Sequence, residues 1–250
     1  MRSAPFPRRV LFLATLTAAA TLAAPAFAQD ISINLGQGNG GVTERSIQLI
    51  ALLTVLSIAP SILIMMTSFT RIVVVLSFLR QAMGTPTAPP NMVVVSLALF
   101  LTAFVMAPTL EAVYHDSLQP LMANRIDEME AFTRATKPIS AFMLLQVRDQ
   151  DIKLFFDLSH TPPVATREQT PLQLLIPAFM ISELRRAFEM GFLIYLPFLV
   201  IDMLVASVLM SMGMMMLPPA TFSLPFKLIF FVLVDGWYLV TGSLVQSFNS

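Results

Sequence analysis

The stretch MGFLIYLPFLVIDMLVASVLMSMGMMMLPPATFSLPFK, residues 190–227, decides the fold class. Between Met190 and Lys227 it carries a single other charged residue, Asp202. A helix on the surface of a soluble protein is apolar on one stripe only. One that is apolar all round belongs in a bilayer or a protein core. Pro218-Pro219 stops a helix, and Gly213 lets the chain turn just before it. The expected structure is a hairpin of two long helices, about 190–212 and 222–246, whose turn holds Gly213, Pro218 and Pro219.

Three ionisable residues interrupt this apolar region: Asp202, Lys227 and Asp235. In hydrocarbon such residues are costly and face a partner or a wet cavity. With a turn near residue 217, Asp202 lies opposite about residue 232. Lys227 is then about 7.5 Å off register along the helix axis. A lysine side chain covers most of that distance. The expectation is charge pairing, within one chain or between subunits, with a proton relay as the alternative use. Ser207 and Ser211 form a small-xxx-small pair that permits close helix contact.

The turn also concentrates methionine. Met210, Met212, Met214, Met215 and Met216 put five of the chain's 17 methionines into seven residues. Methionine fills irregular helix contacts well, and that alone is one reading. The other is a ring of adaptable, uncharged side chains that closes a pore by dewetting in an oligomer.

Composition extends the argument to the whole chain. Of its 250 residues 56% are apolar and 12% charged, and mean hydropathy is +0.76. Soluble domains carry about 25% charged residues, and disordered chains more. A membrane protein is implied. Fifteen basic residues balance fifteen acidic ones, so no basic excess points to nucleic acid. There is no cysteine for a thiolate metal site or nucleophile. His115 and His160 are expected as surface residues of a polar segment, and no phosphate-binding GxxxxGK[ST] is present. The reading is of a protein that is not an enzyme and needs no cofactor.

Upstream of the hairpin, Leu172 to Ser182 is uncharged, and Glu183, Arg185, Arg186 and Glu189 follow. Their spacing suits Glu183–Arg186 and Arg185–Glu189 pairs along a solvated helix face. Residues 111–168 hold half of the chain's charges, nine acids and six bases. This water-facing, mostly helical segment is expected to show an apolar face through Leu118, Leu121, Met122, Ile126 and Met129. It is small for an independent core and is expected to pack on copies of itself or on a partner.

Nearer the N-terminus, Ser46 to Thr70 is an uncharged run long enough to cross a bilayer as one helix. Arg71 and Arg80 follow, then Pro86, Pro89 and Pro90, then a second apolar run from Met92 to Met106, extendable to Leu110. A short connection bearing only positive charge is expected on the cytoplasmic side. Residues 1–28 have a signal peptide's form: Arg2, Arg8 and Arg9, an apolar run from Val10 to Ala24, and Ala26-Phe27-Ala28 before a cleavage between Ala28 and Gln29. The glycine-rich residues 29–45 read as a flexible periplasmic linker.

The expected architecture is all-α, a helical membrane-associated protein with long helical hairpins and a small helical periplasmic segment. Its parts are a signal peptide at 1–28, a linker at 29–45 and a first hairpin at 46–110. The polar periplasmic segment at 111–170 and the C-terminal helices with their Met-rich turn at 171–250 complete it.

Several longer stretches carry a family resemblance. They are PAFMISELRRAFEMGF at 177–192, with Pro177, Phe179, Glu183, Phe188, Gly191 and Phe192, and TSFTRIVVVLSFLR at 67–80. Ile201-Asp202 through Met214-Met215-Met216-Leu217-Pro218-Pro219 to Pro225-Phe226-Lys227-Leu228 continues it, and Val234-Asp235-Gly236-Trp237 completes it. From about residue 44 onward the chain resembles the FliP/SctR family of type III secretion export-gate proteins. The resemblance implies several copies assembled with FliQ-like and FliR-like subunits into a tapered helical pore. FlhA-like and FlhB-like export components accompany it, and unfolded flagellar proteins pass as transient substrates. It implies a place in the bacterial inner membrane and the flagellar basal body, with helices packed as hairpins rather than as plain spans. The family's methionine constriction maps to Met214, Met215 and Met216, with Met210 and Met212 beside it. An injectisome export protein is the nearest alternative, and the signal-like residues 1–28 favour the flagellar branch. A small-solute transporter is a more distant one, since no inverted repeat is visible.

Overall fold

The computed structural model describes residues 42–162, 164–214 and 216–248. The signal peptide with its Ala28–Gln29 cleavage, residues 29–41 of the linker, and Met215 lie outside the described residues. Among the described residues the regular structure is entirely helical. The chain divides into two compact units at Leu52–Leu53. The described part of the first is the opening turns of helix α1, Val42–Met65. The last four residues assigned to the linker, 42–45, are therefore helical. All that follows belongs to the second unit.

The uncharged run 46–70 does not continue as one helix. Thr67 ends α1 by donating its hydroxyl to the Ile64 carbonyl at 2.7 Å, and it accepts the Phe69 N–H at 3.3 Å. A separate helix α2, Phe69–Ala82, follows. Its buried face is Arg71, Ile72, Val75, Leu76, Leu79 and Ala82, the 3–4 spacing of one helix side. The expected cationic connection is thus largely a packed helix. Arg71 is fully buried in it, and Arg80 reaches Asn91 Oδ1 at 2.7 Å across the proline-rich turn.

Helix α3, Asn91–Val113, runs through a π-helical turn at Tyr114–Leu118 into the short α4, Gln119–Met122. Asn124, at φ +51°, ends the run. That break removes the apolar face expected across 118–129: Leu118, Met122 and Met129 are exposed. Helix α5, Glu128–Gln146, starts on an Asp127 cap whose carboxylate accepts the Glu130 N–H at 2.7 Å. Helix α6, Asp149–Ser159, ends on His160 at φ +52°.

Helix α7, Leu172–Ser211, is 40 residues long and spans about 60 Å. The hairpin arm expected at about 190–212 is the second half of this helix. Pro177 and Pro197 lie inside the helix without dividing it. Helix α8, Pro219–Leu233, returns from the turn, and α9, Gly236–Gln246, follows after a 64° bend. The second arm of the hairpin is therefore two helices, not one. Among the described residues two helical runs, 91–122 and 172–211, are long and apolar enough to cross a membrane, or three if α8 and α9 count as one bent span.

The core forms where α2 lies along α7, the most extensive helix pair. Ile72 and Val75 of α2, Leu175 and Phe179 of α7, and Val94 and Ala98 of α3 belong to one buried cluster. The polar segment packs on its own chain: Phe142, Met143, Ile152 and Phe156 complete the same cluster. The first half of α7 offers the apolar partner that this segment lacks by itself. Gly191 allows close approach, since a β-carbon there would stand 2.5 Å from Phe78 Cδ2.

Candidate functional site

The methionine turn is built by an identifiable helix stop. Gly213 sits at φ +75° just past α7. Its N–H donates to the Met210 carbonyl at 3.1 Å, and the Met214 N–H donates to the Leu209 carbonyl at 2.9 Å. This pair of bonds is the Schellman ending, in which a glycine adopts the left-handed conformation at no steric cost. Pro218 and Pro219 then fix the start of α8, where a missing N–H is harmless. The result presents Met210, Met212, Met214 and Met216 outward, with Met216 98% exposed. Ser207 and Ser211 are exposed on the same end of α7, and Ser211 donates back to the Val208 carbonyl at 2.7 Å. An apolar groove of about 530 Å³ runs up the hairpin from the turn, between Leu204 and Val208 on one arm and Phe222, Phe226 and Phe230 on the other.

Behind the turn the hairpin is pinned by charge. Lys227 Nζ lies 2.6 Å from Asp202 Oδ2 and 3.2 Å from the Ala82 carbonyl. Ser223 donates to Asp202 Oδ1 at 2.5 Å. The pair lies within one chain. Its members differ in surroundings: the Lys227 side chain is 6% exposed, that of Asp202 34%. Asp235 is not part of it. It is exposed, at φ +50°, at the bend before α9.

A second buried charge centre was not legible in the spacing. Glu183 does not pair with Arg186. Its carboxylate takes two N–H bonds from Arg71, one from Nε at 2.8 Å and one from Nη2, with both side chains fully buried. Arg71 Nη2 also donates to Gln146 Oε1 at 3.0 Å, and Arg186 donates to the same oxygen at 2.8 Å. Arg71 Nη1 reaches the Ser247 carbonyl at 3.0 Å, and its guanidinium lies 3.8 Å from the Phe248 ring centroid. A planar five-donor group is needed to serve so many acceptors. A third cluster joins Arg148, Asp151 and Ser182: Arg148 Nη2 donates to Asp151 Oδ1 at 2.9 Å and Ser182 to Asp151 Oδ2 at 2.5 Å. Of the two pairs expected on a solvated face, Arg185–Glu189 forms, exposed, at 2.8 Å.

The signature residues separate into two sets. Phe179, Glu183 and Gly191 face the core and α2. Phe188 and Phe192 are exposed, although Phe188 also meets the edge of Phe78 at 5.1 Å between ring centroids. Pro177 is half-buried. Arg71 stands among apolar residues, but Glu183 has Arg185, Arg186 and Glu189 close by in sequence, so no local signal marks the pair. The two stretches that hold them, 67–80 and 177–192, meet in space. Among the described residues no group of three or more histidines, cysteines or carboxylates is placed to hold a metal ion.

The FliP family model matches residues 52–244. The flagellar biosynthetic protein FliP of Caulobacter vibrioides is 59% identical over 245 residues, covering 97% of this chain and 92% of that protein. That of Bacillus subtilis is 55% identical over 205 residues, covering 82% of this chain and 93% of that protein. That of Aquifex aeolicus is 49% identical over 225 residues, covering 89% and 94%. The matched region takes in α2, both buried charge centres' ionic residues and the whole methionine turn, and on that extent of likeness this chain belongs to the FliP family.

Proposed function

We propose that this protein is a core component of the flagellar type III protein export gate in the bacterial inner membrane. Copies of it assemble with FliQ-like and FliR-like subunits, alongside FlhA-like and FlhB-like components, into a pore that passes unfolded flagellar proteins. The supporting observation is the α7–α8 hairpin. It is internally pinned by Asp202 and Lys227, yet it presents a methionine turn and a long apolar surface outward. An exposed surface of this size and polarity is stable only against lipid or other protein.

In this reading the methionines of the turn meet around one axis in the oligomer and form a constriction. Their side chains are flexible and uncharged, so they seal against water and yield to varied polypeptides. Met214, Met215 and Met216 are assigned to the seal, with Met210 and Met212 flanking it. Ser207 and Ser211 allow neighbouring hairpins to approach. Residues 1–28 are proposed to be removed as a signal peptide after Ala28, with 29–41 as periplasmic linker and the polar segment on the periplasmic side. The proposed setting is a multi-pass membrane component at the flagellar basal body.

The test is flagellin in the culture medium, with and without the gene and with a plasmid copy restored. Loss of export and motility, both recovered by the plasmid, is the expected result. Normal flagellin export without the gene would overturn the assignment and favour an injectisome or solute-carrier role.

A further inference from the structure

We propose that α9 is a hinged strap. It is closed by the seating of Ser247 and Phe248 on Arg71 and Gln146, and it opens by swinging at Asp235–Gly236.

Four observations carry this. First, α9 is poorly packed along its length. Its buried residues are only Gly236 and Leu244, and Gly242 faces open space. An apolar groove of about 180 Å³ lies between Trp237 and the α2–α3 surface at Leu76 and Val94. Another, of about 280 Å³, separates Leu239 and Val240 from Met190 and Ile194 of α7. With an open groove on each flank, the helix makes little dispersion contact with the rest of the chain there.

Second, the hold is concentrated beyond the helix's far end. Arg71 Nη1 donates to the Ser247 carbonyl at 3.0 Å and to its hydroxyl at 3.1 Å. Gln146 Nε2 donates to the Phe248 carbonyl at 3.1 Å. The Phe248 ring lies between the Arg71 guanidinium, at 3.8 Å, and Phe142, with ring centroids 6.3 Å apart. These contacts come from α2 and α5.

Third, the near end has the form of a hinge. The chain bends by 64° between α8 and α9, and the bend residue Asp235 is exposed at φ +50°. Helix α8 has a hold of its own, because Lys227 ties it to Asp202 and to the Ala82 carbonyl, while Phe231 packs on Gly236 and Trp237 at the bend.

Fourth, the seat outlasts the latch. Arg71 serves Glu183 through Nε and Nη2, whereas Ser247 uses Nη1. Unseating Ser247 and Phe248 breaks bonds to neutral groups and a ring contact. The Arg71–Glu183 bonds need not break, but Arg71 Nη1 must exchange Ser247 for water and Leu244 must leave the core cluster, so the opening is local and carries that cost.

Hydrogen exchange of the full chain in detergent micelles, read peptide by peptide, tests this. Phe248→Ala is expected to speed exchange in 236–246 by about tenfold or more while 219–233 and 172–189 stay unchanged, the mark of a local opening. Phe248→Tyr, which keeps the stacking face, should restore slow exchange. No acceleration in 236–246, or equal acceleration across α7, α8 and α9, would overturn the proposal. If Phe248→Ala fails to accumulate, Phe248→Leu is measured against the same two outcomes.

Discussion

Arg71 and Glu183 stand 112 residues apart in the chain and meet side by side in its core, both without solvent exposure. The pair unites α2 with α7, and through Gln146 and Ser247 it draws in α5 and the residues after α9. Taking two charges out of water is expensive. Their attraction repays this only when every donor and acceptor is matched.

Removing one partner alone leaves an uncompensated buried charge. Arg71→Ala or Glu183→Ala should each cost about 3–5 kcal/mol, enough to abolish accumulation in the membrane. Arg71→Lys should also be defective, because one ammonium cannot serve Glu183, Gln146 and Ser247 together. The joint change Arg71→Met with Glu183→Leu should recover most of the stability. Protein level in membranes and the melting temperature in detergent read this out. A double variant as unstable as either single one would show that the charges do more than satisfy each other.

The Asp202–Lys227 pair should respond unequally to its two deletions. Asp202→Ala leaves a buried ammonium with the Ala82 carbonyl as its remaining partner, at a cost of about 3 kcal/mol or more. Lys227→Ala leaves Asp202 part-exposed and still bonded to Ser223, at a cost of about 1–2 kcal/mol. Thermal unfolding of the two variants decides the order, and equal losses would contradict the asymmetry in burial.

Gly191→Ala drives a methyl group into the Phe78 ring, whose Cδ2, Cγ and Cβ atoms would lie 2.5, 2.7 and 3.1 Å away. Because Cβ is among them, a ring rotation alone does not clear the clash. A loss of about 1–3 kcal/mol is expected, as for other overpacked helix contacts. Adding Phe78→Ala should return part of it, which a double-mutant cycle on melting temperature measures.

Replacing Met214, Met215 and Met216 by alanine should make the proposed pore leak small solutes while leaving the subunit's own stability within about 0.5 kcal/mol, since Met214 and Met216 are exposed positions away from the core. Conductance of the assembled complex in a planar bilayer reads the leak. Unchanged conductance would remove these residues from the seal.

Much of this was legible from local chemistry. Uncharged runs and proline stops forecast an all-helical membrane protein. Gly213 and Pro218-Pro219 located the turn, because a left-handed stop and a helix start are properties of a few adjacent residues. Helix rise brought Asp202 to within about 7.5 Å of register with Lys227, and left open whether the pair forms within one chain or between subunits.

What the sequence by itself determined is helix content, the hairpin and where its methionines turn. The tertiary structure decided the rest. Periodicity describes one helix at a time, so it offered Arg186 as a partner for Glu183 four ångströms of helix rise away and had no means of proposing Arg71. It read the stretch from Arg71 to Pro90 as a charged connection because a buried arginine and a solvated one look alike until their neighbours are known. The polar segment lacked a core of its own for the same reason: its partner, the first half of α7, lies beyond the segment in the chain. Burial and long-range hydrogen bonding depend on which faces meet, and only the folded chain fixes that.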